Sequence, residues 1–99
     1  MTQENIRVVA HFSAKFQQVA TVKHILTELI SPTRAEDGCI TYELLQNTDN
    51  PTDLTFVEEW TSKDALDKHL ATDHIRRCRE QLEGLLENET DIRIYSLVR

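Results

Sequence analysis

The chain is short of the residues that make loops and staples: its 99 residues include only 2 glycines, 2 prolines and 2 cysteines. With so little glycine there is no GxGxxG and no P-loop pattern, which excludes the common phosphate-cradling loops. Few glycines and prolines, and no biased tract, also exclude a long linker, so one domain is expected over residues 1–99. Cys39 and Cys78 fit no metal-ligand spacing and each sits in an apolar pattern, so they read as buried free thiols of a reducing compartment. No run of about 18 apolar residues occurs, and the first residues lack a charged and then apolar leader. A soluble, cytoplasmic protein with no membrane partner is expected. Basic charge is scarce too: 11 Lys and Arg face 17 Asp and Glu, for a formal net charge of -6. Nucleic-acid binders carry a basic face, so none is expected as partner. Arg76, Arg77 and Arg79 form one local basic cluster, read either as a solvated helix face or as a place for an anionic ligand.

What is present is a clear alternation of periods. Ile6–Phe12 alternates as a strand, and Val19, Val22, Ile25, Leu26, Leu29 and Ile30 recur at helical spacing. That helix is expected over Gln17–Ile30, ending before Pro32 because the residue preceding proline avoids helical geometry. Asp37-Gly38 signals a turn into a second strand, Cys39–Gln46, and the polar stretch Asn47–Asp53 connects it to a third, Leu54–Trp60. Ser62 and Thr72 are suited to cap two further helices, one carrying Ala65, Leu66, His69 and Leu70, the other Ile75, Cys78, Leu82 and Leu85. Asp91–Val98 closes the chain as a fourth strand. The order β-α-β-β-α-α-β predicts an α+β, ferredoxin-like split βαβ domain with a four-stranded antiparallel sheet.

Helices can cover one face of such a sheet, yet apolar residues fall on both. Ile40, Tyr42 and Leu44 are expected on one side of the second strand and Cys39 and Leu45 on the other; Val9, Tyr95 and Leu97 likewise oppose Val8, Ile92 and Ile94. A sheet with one wet face alternates more cleanly. Apolar residues make up only 39% of the chain, and small domains bury thin cores. A homodimer packed sheet to sheet is therefore expected, with His11 on the interface side.

The densest chemistry lies in Phe56–His74. Glu58 shares a strand face with Phe56 and Trp60. It is either buried, where a carboxylate must be hydrogen-bonded or raised in pKa, or at the rim against an arginine. His69 falls on the apolar face of its helix and so faces the sheet. A histidine there is often a satisfied core residue; opposite Glu58 and Trp60 it becomes the candidate general base. Trp60 and Tyr42 are either core fillers or pocket walls. His69 and His74 are five apart, whereas helical ligand pairs prefer three or four, and no third ligand is evident. No metal is expected, and His74 is placed at the pocket mouth. His24 reads as exposed.

These residues carry a resemblance. Thr33–Tyr42, then Phe56–His69 and Ala71–His74, resemble the antibiotic biosynthesis monooxygenase-like domain, which includes small quinol monooxygenases and an isomerase of a phosphorylated autoinducer-2 signal. The likeness spans Ile6 to Val98, and its most specific pieces are Glu36 with Gly38 and Tyr42, Glu58 with Trp60, Ser62 with Ala65, and His69 with His74. It implies a dimeric α/β barrel with a pocket between helices and sheet in each subunit. It further implies oxidation of a small quinol or hydroxylated aromatic by dioxygen without a cofactor. His69 would be the base or orienting residue and Trp60 the pocket wall, supported by Glu58, Tyr42 and His74. Haem-degrading relatives use an Asn on the first strand; Ile6–Phe12 has none. Two alternatives stand beside this expectation: an isomerase of a small phosphorylated dicarbonyl using the arginine cluster, and a non-catalytic dimeric ligand-binding or stress-response barrel.

Overall fold

The computed structural model describes residues 4–99. Four strands, β1 (Ile6–Ser13), β2 (Cys39–Gln46), β3 (Asp53–Trp60) and β4 (Asp91–Ser96), form one antiparallel sheet in the order β2-β3-β1-β4. Helices α1 (Val19–Thr27), α2 (Ile30–Arg34), α3 (Lys63–Leu70) and α4 (Asp73–Leu82) make the second layer. This is the expected ferredoxin-like α+β architecture, with strand limits within two residues of those read from the alternation. Among the described residues no helix is long and apolar enough to cross a membrane.

Two local expectations are corrected. The helix expected over Gln17–Ile30 is broken into a 3-10 turn at Phe16–Gln18, then α1 and α2, and Pro32 lies inside α2. Pro32 is the third residue of α2, where a backbone N–H has no intrahelical acceptor, so its missing donor costs no helical bond. The chain therefore turns at Glu28–Leu29, earlier than the proline suggested. In β2 the register shifts between Cys39, opposite Trp60, and Thr41, opposite Glu59. The extra residue is Ile40, so Cys39 joins the helix side and Ile40 is left half-exposed, the reverse of the simple alternation.

The core lies between the layers. Val8 and Ala10 from β1 and Leu54, Phe56 and Trp60 from β3 pack against Val22, Leu26, Leu66, Ile75, Cys78 and Leu82. Ser62 Oγ accepts from the Ala65 N–H at 3.1 Å and starts α3. Thr72 Oγ1 accepts from the Ile75 N–H and donates to the His69 carbonyl at 2.7 Å, fixing the α3–α4 corner. The turn before β2 is pressed onto α3. Gly38 has φ +87°, and a Cβ there would lie 2.6 Å from Ala65 Cβ and 2.8 Å from Thr61 Oγ1. Both its conformation and the space demand glycine. The Thr61 N–H donates to the Gly38 carbonyl at 2.9 Å and locks the contact.

Helices do not reach over β4, every residue of which is exposed. Ile92 and Ile94 register with Ala10 and Val8 on the helix side yet are open. On the far side Leu45 and Tyr95 are half-exposed, and His11 accompanies them, its Nδ1 2.7 Å from Thr55 Oγ1.

Candidate active site

Period-two alternation along β3 puts Leu54, Phe56, Glu58 and Trp60 under the helices. Register places Glu58 between Val8 of β1 and Tyr42 of β2, and only 7% of it is exposed. The indole N–H of Trp60 donates to Glu58 Oε1 at 2.8 Å. Burial pushes the Glu58 carboxyl up to about 7; the indole bond works against this and the Glu36 charge adds to it. Of the two placements open from the sequence, the buried one holds. Glu58 forms no ion pair among the described residues.

His69, in the last turn of α3, is 2% exposed. Its ring lies 4.7 Å, centroid to centroid, from Trp60 and 5.6 Å from Tyr42. Tyr42 in turn stacks on Phe56 at 4.4 Å. His69 Nδ1 is 2.8 Å from Glu36 Oε2, and His74 Nε2 reaches the same oxygen at 2.7 Å. An ionised carboxylate only accepts, so both ring nitrogens act as donors. That assignment leaves the neutral His69 ring with a lone pair on Nε2. Burial lowers the His69 pKa, Glu36 opposes the shift, and His74 and Arg79 reinforce it. The neutral base form is favoured. Burial, with the Glu58 charge second, raises the Tyr42 phenol far above its ordinary value, so it stays protonated. Burial likewise pushes the Cys78 thiol up to about 11, which leaves it a poor nucleophile.

A cavity of about 500 Å³ opens beside these groups. Val8, Ala10, Phe56 and Glu58 form its sheet side; Leu66, His69, Ile75, Cys78 and Leu82 form its helix side; Tyr42 also lines it. Exposed Arg79, Glu83 and Glu89, with Ile92 of β4, stand at its open side. Trp60 and His74 are not on this surface. Trp60 is fully buried and contacts the site through Glu58 and His69, so it is a support where a wall was expected. His74 faces a neighbouring groove with Ile25, Glu28, Pro32 and Arg77, so it does not stand at the mouth. Of the basic cluster, Arg79 reaches the cavity, Arg77 lies in the groove, and Arg76 is held on the surface by Glu80 at 2.9 Å.

Glu36 is the candidate site residue that spacing missed. It lies 33 positions before His69 and 38 before His74, and only the Gly38 turn brings it to both. Its one signal in the sequence was its place in the Glu36, Gly38, Tyr42 pattern.

Comparison with known proteins finds relatives of the same fold. The family described as "Antibiotic biosynthesis monooxygenase" matches residues 5–81. The Mycobacterium tuberculosis protein named "Putative monooxygenase Rv0793" is 32% identical over 91 residues, 92% of this chain and 89% of that protein. Its structure superimposes with a TM-score of 0.91 over 97% of each chain. A conserved protein from Methanosarcina mazei is 37% identical, with a TM-score of 0.88 over 95% of this chain and 93% of its own. A structure described as an antibiotic biosynthesis monooxygenase gives 28% identity and a TM-score of 0.89 over 95% of this chain and 99% of its own.

Proposed function

Because the chain belongs to the antibiotic biosynthesis monooxygenase family, we propose that it oxidises a small quinol or hydroxylated aromatic with dioxygen and no cofactor. The observation that carries the reading is His69: its Nδ1 is tied to Glu36 and its ring borders an apolar cavity sized for a small aromatic molecule. Nε2 takes the proton of a bound phenol, and Glu36 steadies the imidazolium that results. The phenolate pushes its electron pair into the ring, and a ring carbon bonds dioxygen to give a hydroperoxide. Loss of water then leaves a new carbonyl. One oxygen atom stays on carbon, the other departs as water with two substrate hydrogens, and the ring supplies all four electrons. Glu58, poised near neutrality, is suited to protonate the departing oxygen, and Tyr42 offers a neutral O–H to orient a substrate oxygen. Trp60 holds Glu58 and backs His69, while His74 holds Glu36 from outside.

Arg79 at the open side favours a second reading, the isomerase of a small phosphorylated dicarbonyl, in which its guanidinium would take the phosphate. Oxygen uptake with a panel of benzenediols and dihydroxynaphthalenes separates the readings. The monooxygenase reading requires uptake in the wild type that falls in His69→Ala. No turnover on any diol points to the isomerase or to a non-catalytic barrel, and undiminished rates in His69→Ala remove the base. A homodimer is part of the reading, since β4 is open on both faces and its open apolar groups adjoin the cavity.

A further inference from the structure

Two imidazoles on one carboxylate oxygen are more than orientation needs. One bond from Glu36 suffices to fix the His69 ring, yet His74 reaches the same Oε2 from the start of α4. The three donor atoms, His69 Nδ1, His74 Nε2 and a Glu36 oxygen, lie within 4.8 Å of one another. A four-coordinate zinc ion, with bonds of about 2.0–2.2 Å, holds its ligand atoms roughly 3.3 Å apart. The two N···O separations, 2.8 and 2.7 Å, fall short of this, so the carboxylate would draw back from both rings as the ion enters between them. Two nitrogens and one oxygen are a donor set that Zn²⁺ accepts. Access is available, because the side chains of Glu36 and His74 remain 14% and 19% exposed while His69 is shut off at 2%.

We propose that Glu36, His69 and His74 form a binding site for Zn²⁺, and that the ion reverses the tautomer of His69. The site lies behind the cavity. The Nδ1 edge of His69 points to Glu36 and His74, and His74 borders the second groove, so the ion's free coordination position is open to water from that side. The ion therefore does not meet the substrate. Its effect passes through the ring: a neutral imidazole bonded to zinc through Nδ1 must carry its proton on Nε2. His69 then presents a donor to the cavity where it presented a lone pair, and Zn²⁺ switches off proton abstraction. This last consequence rests on the function proposed above; the ion site does not.

Calorimetric titration of the full chain with zinc chloride, together with the visible bands of the cobalt(II) form, reads the site without any turnover. One ion per chain is expected, weakened about tenfold or more in Glu36→Gln and in His74→Ala. Nitrogen-15 spectra of labelled histidine should move the His69 proton from Nδ1 to Nε2 as zinc is added. No saturable binding, or binding that neither substitution weakens, overturns the site. An unmoved His69 proton overturns the switch. Zinc should also abolish oxygen uptake in the wild type at the concentration that fills the site. An absence of uptake at every zinc level, with the titration and spectra as expected, sinks the monooxygenase reading and leaves the ion site standing.

Discussion

Trp60 donates its indole N–H to Glu58 at 2.8 Å, and both side chains are buried in the same strand face. The pair is a compromise: one hydrogen bond offsets part of the cost of a carboxylate placed among apolar groups, and burial still wins.

A pH dependence of stability follows. Glu58 titrates near 7 when folded against an ordinary 4.5, so the native state binds the extra proton between those limits. Stability contributed by the protonated form is full below about 4.5 and is lost as pH rises through about 7. The span corresponds to roughly 3 kcal/mol. Urea unfolding at about pH 5 and about pH 8 should show this loss in the wild type and a much smaller one in Glu58→Gln. Equal losses in both proteins would refute the assignment to Glu58.

Trp60→Phe keeps most of the ring and deletes the donor. Since the indole bond lowers the Glu58 pKa, its removal should move the carboxyl midpoint upward from about 7. Carbon-13 titration of labelled glutamate reads the midpoint directly. A downward shift would mean that another donor holds Glu58. The replacement should also destabilise the fold by about 1–3 kcal/mol, because a buried acceptor loses its partner.

Glu36 acts on the reaction through His69. Replacing its charge in Glu36→Gln should lower kcat by about tenfold or more with little change in KM, since the cavity lining is untouched. His69→Ala should lower it by roughly a hundredfold to ten-thousandfold. Stopped-flow oxygen consumption measures both. A Glu36→Gln enzyme with wild-type kcat would show that the carboxylate does not support the base.

The order of elements and the helix-side faces were legible because they rest on local periods: Phe56, Glu58 and Trp60 alternate, and Leu66, His69 and Leu70 share a helix face. The burial of His69 followed from those periods; for Glu58 they gave only the shared face with Phe56 and Trp60, and the rim stayed open until the helices were in place. What escaped was set by single irregularities or by long-range contact. The Ile40 bulge inverts the face of Cys39 without changing composition, and Pro32 sits at the one kind of helical position that tolerates it. Glu36 meets His69 and His74 only because the turn docks on α3, a contact no spacing rule encodes.

Gly38 tests that docking. Gly38→Ala would put a methyl 2.6 Å from Ala65 Cβ and force a positive φ on an alanine. Strain of roughly 1–3 kcal/mol from the backbone is expected, and the clash adds to it. Thermal unfolding should show the lower Tm. The Glu36 contact should loosen with it, so kcat should fall at temperatures where the variant is still folded. The double variant Gly38→Ala, Ala65→Gly relieves the closer of the two contacts, leaving that with Thr61 Oγ1, and should recover part of both; no recovery would place the loss in the backbone strain and the Thr61 contact instead of the contact with Ala65.

The far face of the sheet makes the remaining prediction. Leu45 and Tyr95 are half-exposed there, beside Val9 and Val57 and with no helix above them. Apolar groups gathered on a sheet face are stabilised when a second sheet covers them, and a stable interface buries about 800 Å² from each partner. Sedimentation of the wild type should give the mass of two chains. Tyr95→Glu puts a charge into that face from a position outside the cavity lining, so it should give single chains with unchanged far-ultraviolet dichroism. A wild type that sediments as single chains at micromolar concentration would remove the sheet-to-sheet dimer.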